Sequence, residues 1–327
     1  LLERPTVLLI SKTSKPIAIL PVLELDSFEK LKLDVDIFEW QDSDGYQSAF
    51  DKAFQKIGSL PTIGIEGQRM RVFESQAIEK AANKIKIINA HKLISRIRLT
   101  KDVEEIEKLK KAIDIAEKSL EKTLQYVEVG KTEIEIKNFL IQQLYNYGAE
   151  GIAFGPIVLA SDNSALPHGH SRNDYKIKKG DCLLFDFGAI VDGYNSDITR
   201  TFFIESVSEE YKNIYQAVYD ANAIGLKISK PKLSLHELDD NVLNSLADSG
   251  YSDLIVHKTG HGLGLDVHED PYVMRGNEEK LEEGMVITIE PGLYNPKSLG
   301  VRIEDDVHIT LGVPEILTSF TKNLTII

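Results

Sequence analysis

The sequence predicts two successive domains, a small α/β domain and a larger α+β domain. Up to about residue 96, short apolar runs typical of strands alternate with helical patterns. Beyond that point the chain carries long amphipathic helices and β segments that hold glycines and acidic residues. The length of 327 residues also exceeds that of one typical domain. We therefore expect domains at residues 1–97 and 98–327, with the boundary just before Arg98.

The first domain shows strand-like segments separated by helical ones. Strands are expected at Thr6–Ile10, Ile17–Leu20, Val35–Phe38, Thr62–Ile65 and Ile85–Ile88, and helices at Ser48–Lys56 and Phe73–Ala82. His91 precedes all other histidines and is expected at the surface or at the domain boundary. Because the chain lacks an initial Met and enters its first strand almost at once, we expect that a short N-terminal piece is missing.

The second domain is expected to begin with a long amphipathic helix. From Val103 to Leu124, apolar residues recur at spacings of three and four, with Lys and Glu between them. Further helices are expected at Glu133–Tyr147, Tyr211–Ile228 and Leu235–Ser249, and β segments at 181–191, 194–204, 284–290 and 300–310.

Composition and charge exclude several classes of protein. The net charge of −13 would repel nucleic acid and anionic membranes. The sequence has no apolar run long enough to span a membrane and no signal peptide with a basic start. The single cysteine, Cys182, lies in an apolar run and is expected in a core strand, so no intramolecular disulfide forms. We expect a cytoplasmic protein, since these features suit a reducing compartment.

Residues 186–201 predict a β-hairpin that brings two carboxylates together. The dipeptide Asp-Gly at 192–193 is a strong turn signal between strand-like residues. Positions 191 and 194 then pair, as do 188 and 197. Because strand side chains alternate between faces, Asp186 and Asp197 lie on the same face, roughly 7–8 Å apart at Cα. Thr199 falls opposite Asp186, within reach of a hydrogen bond.

Two like charges on an otherwise apolar face need an explanation. Burying them unpaired would cost several kcal/mol each. A divalent cation between Asp186 and Asp197 removes this cost, and the glycine at position 188 leaves space between the carboxylates. An exposed hairpin face with two solvated acids fits the same residues, and the hairpin by itself favours neither interpretation.

Three later segments carry further candidate ligands. Residues 257–269 hold histidines at 257, 261 and 268, with glycines at 260, 262 and 264 that argue against a helix and for close approach of the backbone. This spacing differs from the helical His-Glu-x-x-His zinc motif. Glu290 ends an apolar strand before a Pro-Gly turn, and Glu304 lies in an acidic strand start. A capped turn or a solvated strand edge would explain each segment singly.

Taken together, the candidate ligands are four carboxylates and one imidazole: Asp186, Asp197, His261, Glu290 and Glu304. This oxygen-rich set without a thiolate suits Mn²⁺, Co²⁺, Fe²⁺ or Zn²⁺ in a catalytic site better than a structural zinc site. Four carboxylates balance the charge of two dications. Two-metal hydrolytic sites hold their ions roughly 3.5–4 Å apart and share a water.

These segments together resemble the pita-bread metallopeptidases, which include prolidase, aminopeptidase P and methionine aminopeptidase. The matching motifs are the hairpin ending Ser-Asp-Ile-Thr-Arg-Thr, the loop His261–His268, Ile-Glu-Pro-Gly-Leu-Tyr at 289–294 and Arg-Ile-Glu-Asp at 302–305. The resemblance spans about 98–327. It implies a pita-bread catalytic domain there, and the α/β domain before it fits prolidase and aminopeptidase P.

The resemblance implies a hydrolase that holds two divalent ions and cleaves Xaa-Pro peptide bonds. All five candidate ligands then bind the ions, with Glu304 as a bridge. Glu290 also acts as general base on a bridging water that attacks the scissile carbonyl, while His168 and His268 stabilise the intermediate. The implied substrate-binding residues are Phe154, Ile157, His257, Tyr294 and Arg302. The expected ions are Mn²⁺ or Co²⁺, with Zn²⁺ or Fe²⁺ as alternatives, the substrate is a proline-containing di- or oligopeptide, and the expected assembly is a homodimer.

One position departs from the pattern of dipeptide-specific prolidases. These enzymes often carry an Arg four residues after the second histidine, where it grips the free carboxylate, and this chain has Tyr272 there. Arg275 and Arg302 remain as candidate anchors. The sequence favours a Xaa-Pro dipeptidase and keeps a Xaa-Pro aminopeptidase for longer peptides as the alternative. Creatinase-like hydrolases and non-catalytic binding modules of this fold lose ligand positions that are all present here, and methionine aminopeptidases usually lack the N-terminal domain.

Overall fold

The computed structural model describes residues 3–82, 84–296 and 298–327. Clusters of contacts divide the chain into Leu1–Ile94 and Ser95–Ile327. Each part has its own hydrophobic core. In the described part of the chain no helix is both long enough and apolar enough to cross a membrane.

The N-terminal part is an α/β domain, as the sequence predicts. Its strands are β1 (Val7–Leu9), β2 (Ile17–Pro21), β3 (Asp36–Trp40), β4 (Thr62–Ile65) and β5 (Lys86–Asn89), and its helices are α1 (Leu25–Glu29), α2 (Gln47–Ile57) and α3 (Val72–Ala81). Strand β2 pairs antiparallel with β1 and parallel with β3, and β4 pairs parallel with β5. Buried residues of the strands and of α2 and α3 form the core, which includes Ile19, Trp40, Phe50 and Ile78.

One helix of the boundary region was not expected. Helix α4 (His91–Leu99) occupies residues that the sequence analysis left without an element. The side chain of Asn89 accepts a hydrogen bond from the backbone N–H of His91 at 2.9 Å, which satisfies one free donor at the start of this helix. Asn89 is also the last residue of β5, so its sequence context indicated a strand and did not indicate that a helix begins after it.

The C-terminal part contains four long helices, close to the predicted positions. They are α5 (Val103–Leu124), α6 (Glu133–Asn146), α7 (Glu209–Ile228) and α8 (Leu235–Leu246). Each begins after a polar side chain that accepts a backbone N–H of the first turn; these caps are Asp102, Thr132, Ser208 and Ser234. Such caps satisfy donors that a helix leaves unpaired and fix where it begins.

Two pairs of these helices, α5 with α6 and α7 with α8, each cover one β-sheet. The strands are β6 (Gly151–Ile152), β7 (Ile157–Ala160), β8 (Cys182–Phe187), β9 (Ala189–Val191), β10 (Tyr194–Asn195), β11 (Ile198–Phe203), β12 (Gly260–Gly262), β13 (Glu269–Val273), β14 (Val286–Ile289), β15 (Gly292–Asn295), β16 (Leu299–Arg302), β17 (Asp305–His308) and β18 (Glu315–Ile316). Helices α5 and α6 share a core with the sheet β11-β8-β7. Helices α7 and α8 share another with the sheet β13-β12-β14-β17-β18. Cys182 is buried in β8, as expected.

The single β segment expected at 300–310 is wrong, because the chain changes sheets in the middle of it. Strand β16 pairs with β15, whereas β17 pairs with β14 and β18. At the break, the backbone N–H of Glu304 donates to the Thr199 carbonyl at 3.2 Å. The break therefore places Glu304 beside the hairpin strand β11. Sequence patterning did not show it, since nothing in residues 299–308 marks a turn between the two strands.

A buried arginine fixes this break from behind. Arg200 is 1% exposed and donates to the carbonyl of Glu304 at 2.5 Å and to Asp305 Oδ1 at 2.7 Å. The same guanidinium donates to the Phe320 carbonyl at 2.8 Å, and Lys322 Nζ lies 3.1 Å from Asp305 Oδ2. The charges of Arg200 and Lys322 outweigh burial and lower the pKa of Asp305. This network holds the C-terminal segment and β17 together.

Replacing Arg200 by Met is expected to destabilise the protein by about 3–5 kcal/mol, because Asp305 loses its main buried partner. The measurement is urea unfolding followed by circular dichroism. The control is Lys118→Met, which removes an exposed pair with Asp114 and should cost at most about 1 kcal/mol. Equal stability of the two variants would show that Arg200 does not anchor the break.

Candidate active site

The predicted hairpin is present with the predicted pairing. Val191 pairs with Tyr194, and Thr199 pairs with Asp186. The turn residues at 192 and 193 both have positive φ, 49° and 79°, which is the geometry of a two-residue hairpin turn. Gly188 is required between the strands, since a Cβ there would lie 1.7 Å from the Ser196 carbonyl oxygen.

Two carboxylates of the hairpin meet a third from the break between β16 and β17. One oxygen each of Asp186, Asp197 and Glu304 lies within 4.8 Å of the others. Asp197 is 3% exposed, and its Oδ1 has no hydrogen-bond partner among the described residues. An unpartnered buried carboxylate oxygen is costly and calls for a cation.

Thr199 binds a different carboxylate from the one that the sequence suggested. It lies opposite Asp186, but its hydroxyl donates to Glu304 Oε2 at 2.6 Å. Asp186 Oδ2 instead accepts from the Arg302 guanidinium. The hairpin therefore orients Glu304, at the break between β16 and β17, as well as its own two acids.

His261 presents a lone pair to two carboxylates. Its Nδ1 donates to the Gly262 carbonyl at 3.0 Å, and its Nε2 lies 3.3 Å from Glu290 Oε1 and 3.7 Å from Asp197 Oδ2. Burial, with the nearby His268 ring, lowers the pKa of His261 to about 3, so the imidazole is neutral at pH 7. A neutral Nε2 facing ionised carboxylate oxygens is repelled unless a cation lies between them. Metal-binding histidines typically donate their other ring N–H in this way.

Three acids of the cluster have raised pKa values. Burial, followed by the charges of neighbouring carboxylates, raises the pKa of Asp197 and of Glu304 well above the ordinary range. Burial raises the pKa of Glu290 to about 7. Bound dications would reverse these effects, because they stabilise the ionised carboxylates.

The donor set fits divalent metal ions. Besides the group of three acids, the ligand atoms of His261, Glu290 and Glu304 lie within 4.8 Å of one another. Glu304 belongs to both groups, which suits a bridging carboxylate. A third group joins Asp197 and His261 to His268, whose ring packs edge-on against that of His261 with centroids 4.2 Å apart.

These residues open onto a cavity of about 970 Å³. Of the residues to which the resemblance gives a role, the structure brings all but Tyr294 to its wall: Asp186, Asp197, His261, Glu290, Glu304, Phe154, Ile157, His168, His257, His268 and Arg302. The apolar residues of the wall include Phe154, Ile157, Ala153, Leu166 and Pro167. This combination of apolar wall and convergent polar groups is typical of a small-molecule site.

Tyr294 is the exception and acts from behind the wall. It is 2% exposed, and its hydroxyl lies 2.8 Å from His257 Nε2 and 2.6 Å from Arg302 Nη1. Because Arg302 donates to the hydroxyl oxygen, the Tyr294 proton goes to His257 Nε2. Arg302 also donates through Nε to Thr199 at 3.1 Å. The arginine thereby orients Asp186 from one side and His257 through Tyr294 from the other.

Two basic side chains of the cavity wall, those of Lys258 and His170, escaped the sequence analysis. Lys258 directly follows His257, and neighbouring positions in an extended segment normally face opposite sides, so adjacency gave no reason to include it. The signal that could have found His170 is its spacing of two from His168, because such positions share a face of an extended segment. Arg275, a candidate carboxylate anchor, instead bonds to Asp240 Oδ1 at 2.7 Å and to Asn244.

Comparison with known proteins agrees with this arrangement. The model of metallopeptidase family M24 matches residues 107–311, and that of the creatinase/prolidase N-terminal domain matches residues 2–100. The Xaa-Pro dipeptidase of Pyrococcus furiosus is 38% identical over 279 residues, which are 84% of this chain and 78% of that protein. The prolidase structure from Thermococcus sibiricus covers 100% of this chain and 88% of its own at 33% identity, with a TM-score of 0.94.

A structure with a different stated specificity is also similar. The X-Pro aminopeptidase from Thermotoga maritima shares 32% identity and a TM-score of 0.87, over 98% of this chain and 90% of that one. The fold class expected from the sequence is confirmed by these matches. The chain belongs to metallopeptidase family M24, with a creatinase/prolidase α/β domain ahead of a pita-bread catalytic domain.

Proposed function

We propose that this protein is a prolidase, which hydrolyses the Xaa-Pro bond of dipeptides with the help of two divalent metal ions. The observation that carries the proposal is the neutral Nε2 of His261, which faces Glu290 and Asp197 at 3.3 and 3.7 Å within a cavity. The identity of 38% to a protein named Xaa-Pro dipeptidase supports the substrate class.

In this proposal the two donor groups hold one ion each. Asp186, Asp197 and Glu304 would hold the first, and His261, Glu290 and Glu304 would hold the second, so that Glu304 would serve both. Mn²⁺ or Co²⁺ suits these donors, and Zn²⁺ or Fe²⁺ is the alternative. When bound, such ions lower the pKa of a water toward neutrality and polarise a carbonyl.

The chain's own residues then move the proton and bind the substrate. Glu290 accepts the proton of the attacking water and passes it to the leaving nitrogen of proline. His168 and His268 donate hydrogen bonds to the oxygen of the tetrahedral intermediate. Partial burial lowers the pKa of His268, which favours the neutral ring with one N–H to donate. Phe154 and Ile157 form the apolar wall for the proline ring.

A Xaa-Pro aminopeptidase for longer peptides is the second candidate. Tyr272 at the position expected for an anchoring Arg and the similarity to the Thermotoga maritima enzyme favour it. A non-catalytic binding module would have no need of the five donors, so it is the weakest candidate. The cytoplasmic location and the homodimer expected from the sequence stay predictions.

A substrate panel with added Mn²⁺ or Co²⁺ separates these functions. We expect Ala-Pro to be cleaved with the highest kcat/KM, since a dipeptidase binds both ends of its substrate. A clear preference for Ala-Pro-Ala would assign the aminopeptidase. Cleavage of Met-Ala-Ser without cleavage of either proline peptide would refute both.

Metal analysis of the reconstituted protein is expected to give two ions per chain. Asp197→Asn should bind less metal and lose activity, because one carboxylate of the donor cluster becomes a neutral amide. Asp114→Asn, which changes an exposed carboxylate on α5, is the matched control and should keep both ions. Fewer than one ion per chain in an active wild-type enzyme would sink the dinuclear proposal.

The two histidines of one loop are expected to differ in role. His261→Ala should lose metal and activity together. His268→Ala should keep its metal and lower kcat by roughly 10²–10³, the usual effect of removing one transition-state donor. Metal content and kcat are measured on the same preparations.

Because the ligand atoms of His268, His261 and Asp197 also lie within 4.8 Å of one another, loss of metal in His268→Ala would make it a ligand. A kcat near that of the wild type would make it structural.

A further inference from the structure

The cavity wall holds two cationic side chains, and one of them is already engaged. Arg302 is 3% exposed and is bound by Asp186, Tyr294 and Thr199. Its charge offsets that of Asp186, and its position is fixed from three sides. Arg302 is therefore a poor anchor for an additional anion.

Lys258 is the second cation and has a different setting. It is half-buried on the cavity wall, and no carboxylate of the described residues lies within ion-pair distance of its Nζ. The Nζ lies 5.2 Å from the centroid of the Tyr272 ring. A ring face attracts an ammonium group without neutralising it, so the charge remains available to a ligand.

The backbone around Lys258 is fixed, which limits where the side chain can reach. His257 Nδ1 donates to the Lys258 carbonyl at 2.8 Å, and the Thr259 N–H donates to Asp239 Oδ1 at 2.8 Å. Asp239 is itself buried, and its Oδ2 accepts from the Arg275 backbone at 2.8 Å. Three residues further on, His261 joins the donor cluster. Lys258 therefore lies beside the metal-binding groups and outside them.

We propose that Lys258 binds the free C-terminal carboxylate of a dipeptide substrate, with the Tyr272 ring supporting the ammonium group. The inference rests on the proposed function. In a dipeptide the carboxylate belongs to the residue directly after the scissile bond, and successive Cα atoms are about 3.8 Å apart, so its anchor must lie close to the donor cluster. The cluster's own acids would repel this carboxylate unless a separate cation meets it. Lys258 thus fills the role that Tyr272 cannot fill.

The test compares Ala-Pro with Ala-Pro amide, which lacks the negative charge. The wild-type enzyme is expected to prefer the free acid by about 10- to 100-fold in kcat/KM, the usual effect of a charged hydrogen bond. Lys258→Met should raise KM for Ala-Pro by a similar factor, change kcat little and leave the amide unaffected. Lys258→Arg should keep most of the preference.

Lys118→Met is the matched control for the loss of a lysine and should match the wild type on both substrates.

Product inhibition gives a measurement that needs no variant: L-proline should inhibit the wild type more strongly than L-prolinamide. Equal loss on both substrates in Lys258→Met, or an unchanged preference, overturns the inference while the prolidase function stands. Equal cleavage of Ala-Pro and Ala-Pro amide by the wild type would also overturn the inference while the prolidase function stands. A wild type that cleaves neither peptide refutes the proposed function and, with it, this inference.

Discussion

Four carboxylates share one buried pocket with a neutral imidazole, and much of the second domain serves to hold them there. Like charges this close repel one another, and burial removes the water that would screen them. Burial, followed by the charges of neighbouring carboxylates, raises the pKa values of Asp197 and Glu304, and burial raises that of Glu290. Asp197 Oδ1 has no hydrogen-bond partner among the described residues, so their groups alone do not offset this cost. Dications are the partners that fit.

The scaffold supplies the acids from elements that are far apart in sequence. A tight hairpin carries Asp186 and Asp197, the end of β14 carries Glu290, and the crossing from β16 to β17 carries Glu304. Positive charge buried behind the cluster keeps them in place. Arg200 holds the crossing through the Glu304 carbonyl, and Arg302 holds Asp186. The N–H groups of these arginines donate to protein atoms, so their role is to position the acids of the cluster.

The cavity lining combines three kinds of chemistry. It includes the acids with His261, apolar residues such as Phe154 and Ile157, and the half-buried Lys258, which adds a positive charge. A short peptide with a proline ring and a free carboxylate matches all three. The same wall would suit a longer peptide only if the segment beyond the proline could pass Lys258 with no charge to meet it. Specificity in this site is thus a matter of which charge the substrate places beside that lysine.

The sequence by itself determined the hairpin and its register, and it indicated the candidate donor residues. Asp192-Gly193 sets a turn whose two positive φ values need those residues, and strand alternation then puts Asp186 and Asp197 on one face. The long helices followed from apolar periodicity and from caps that lie next to them in sequence. These are local effects, decided within a few residues. Helix α4 was missed even so, because its capping residue also ended a strand.

Only the tertiary structure decided which of these residues meet. The break at Glu304 arises because β16 and β17 pair with different strands, and no local pattern records the choice of partner. Thr199 binds Glu304 instead of its cross-strand neighbour, and Tyr294 lies behind the wall, for the same reason. Lys258 became visible as a ligand group only when Arg302 and Arg275 were seen to be engaged elsewhere. Whether a charge is free depends on contacts between distant segments, and these are set by packing rather than by neighbours in the chain.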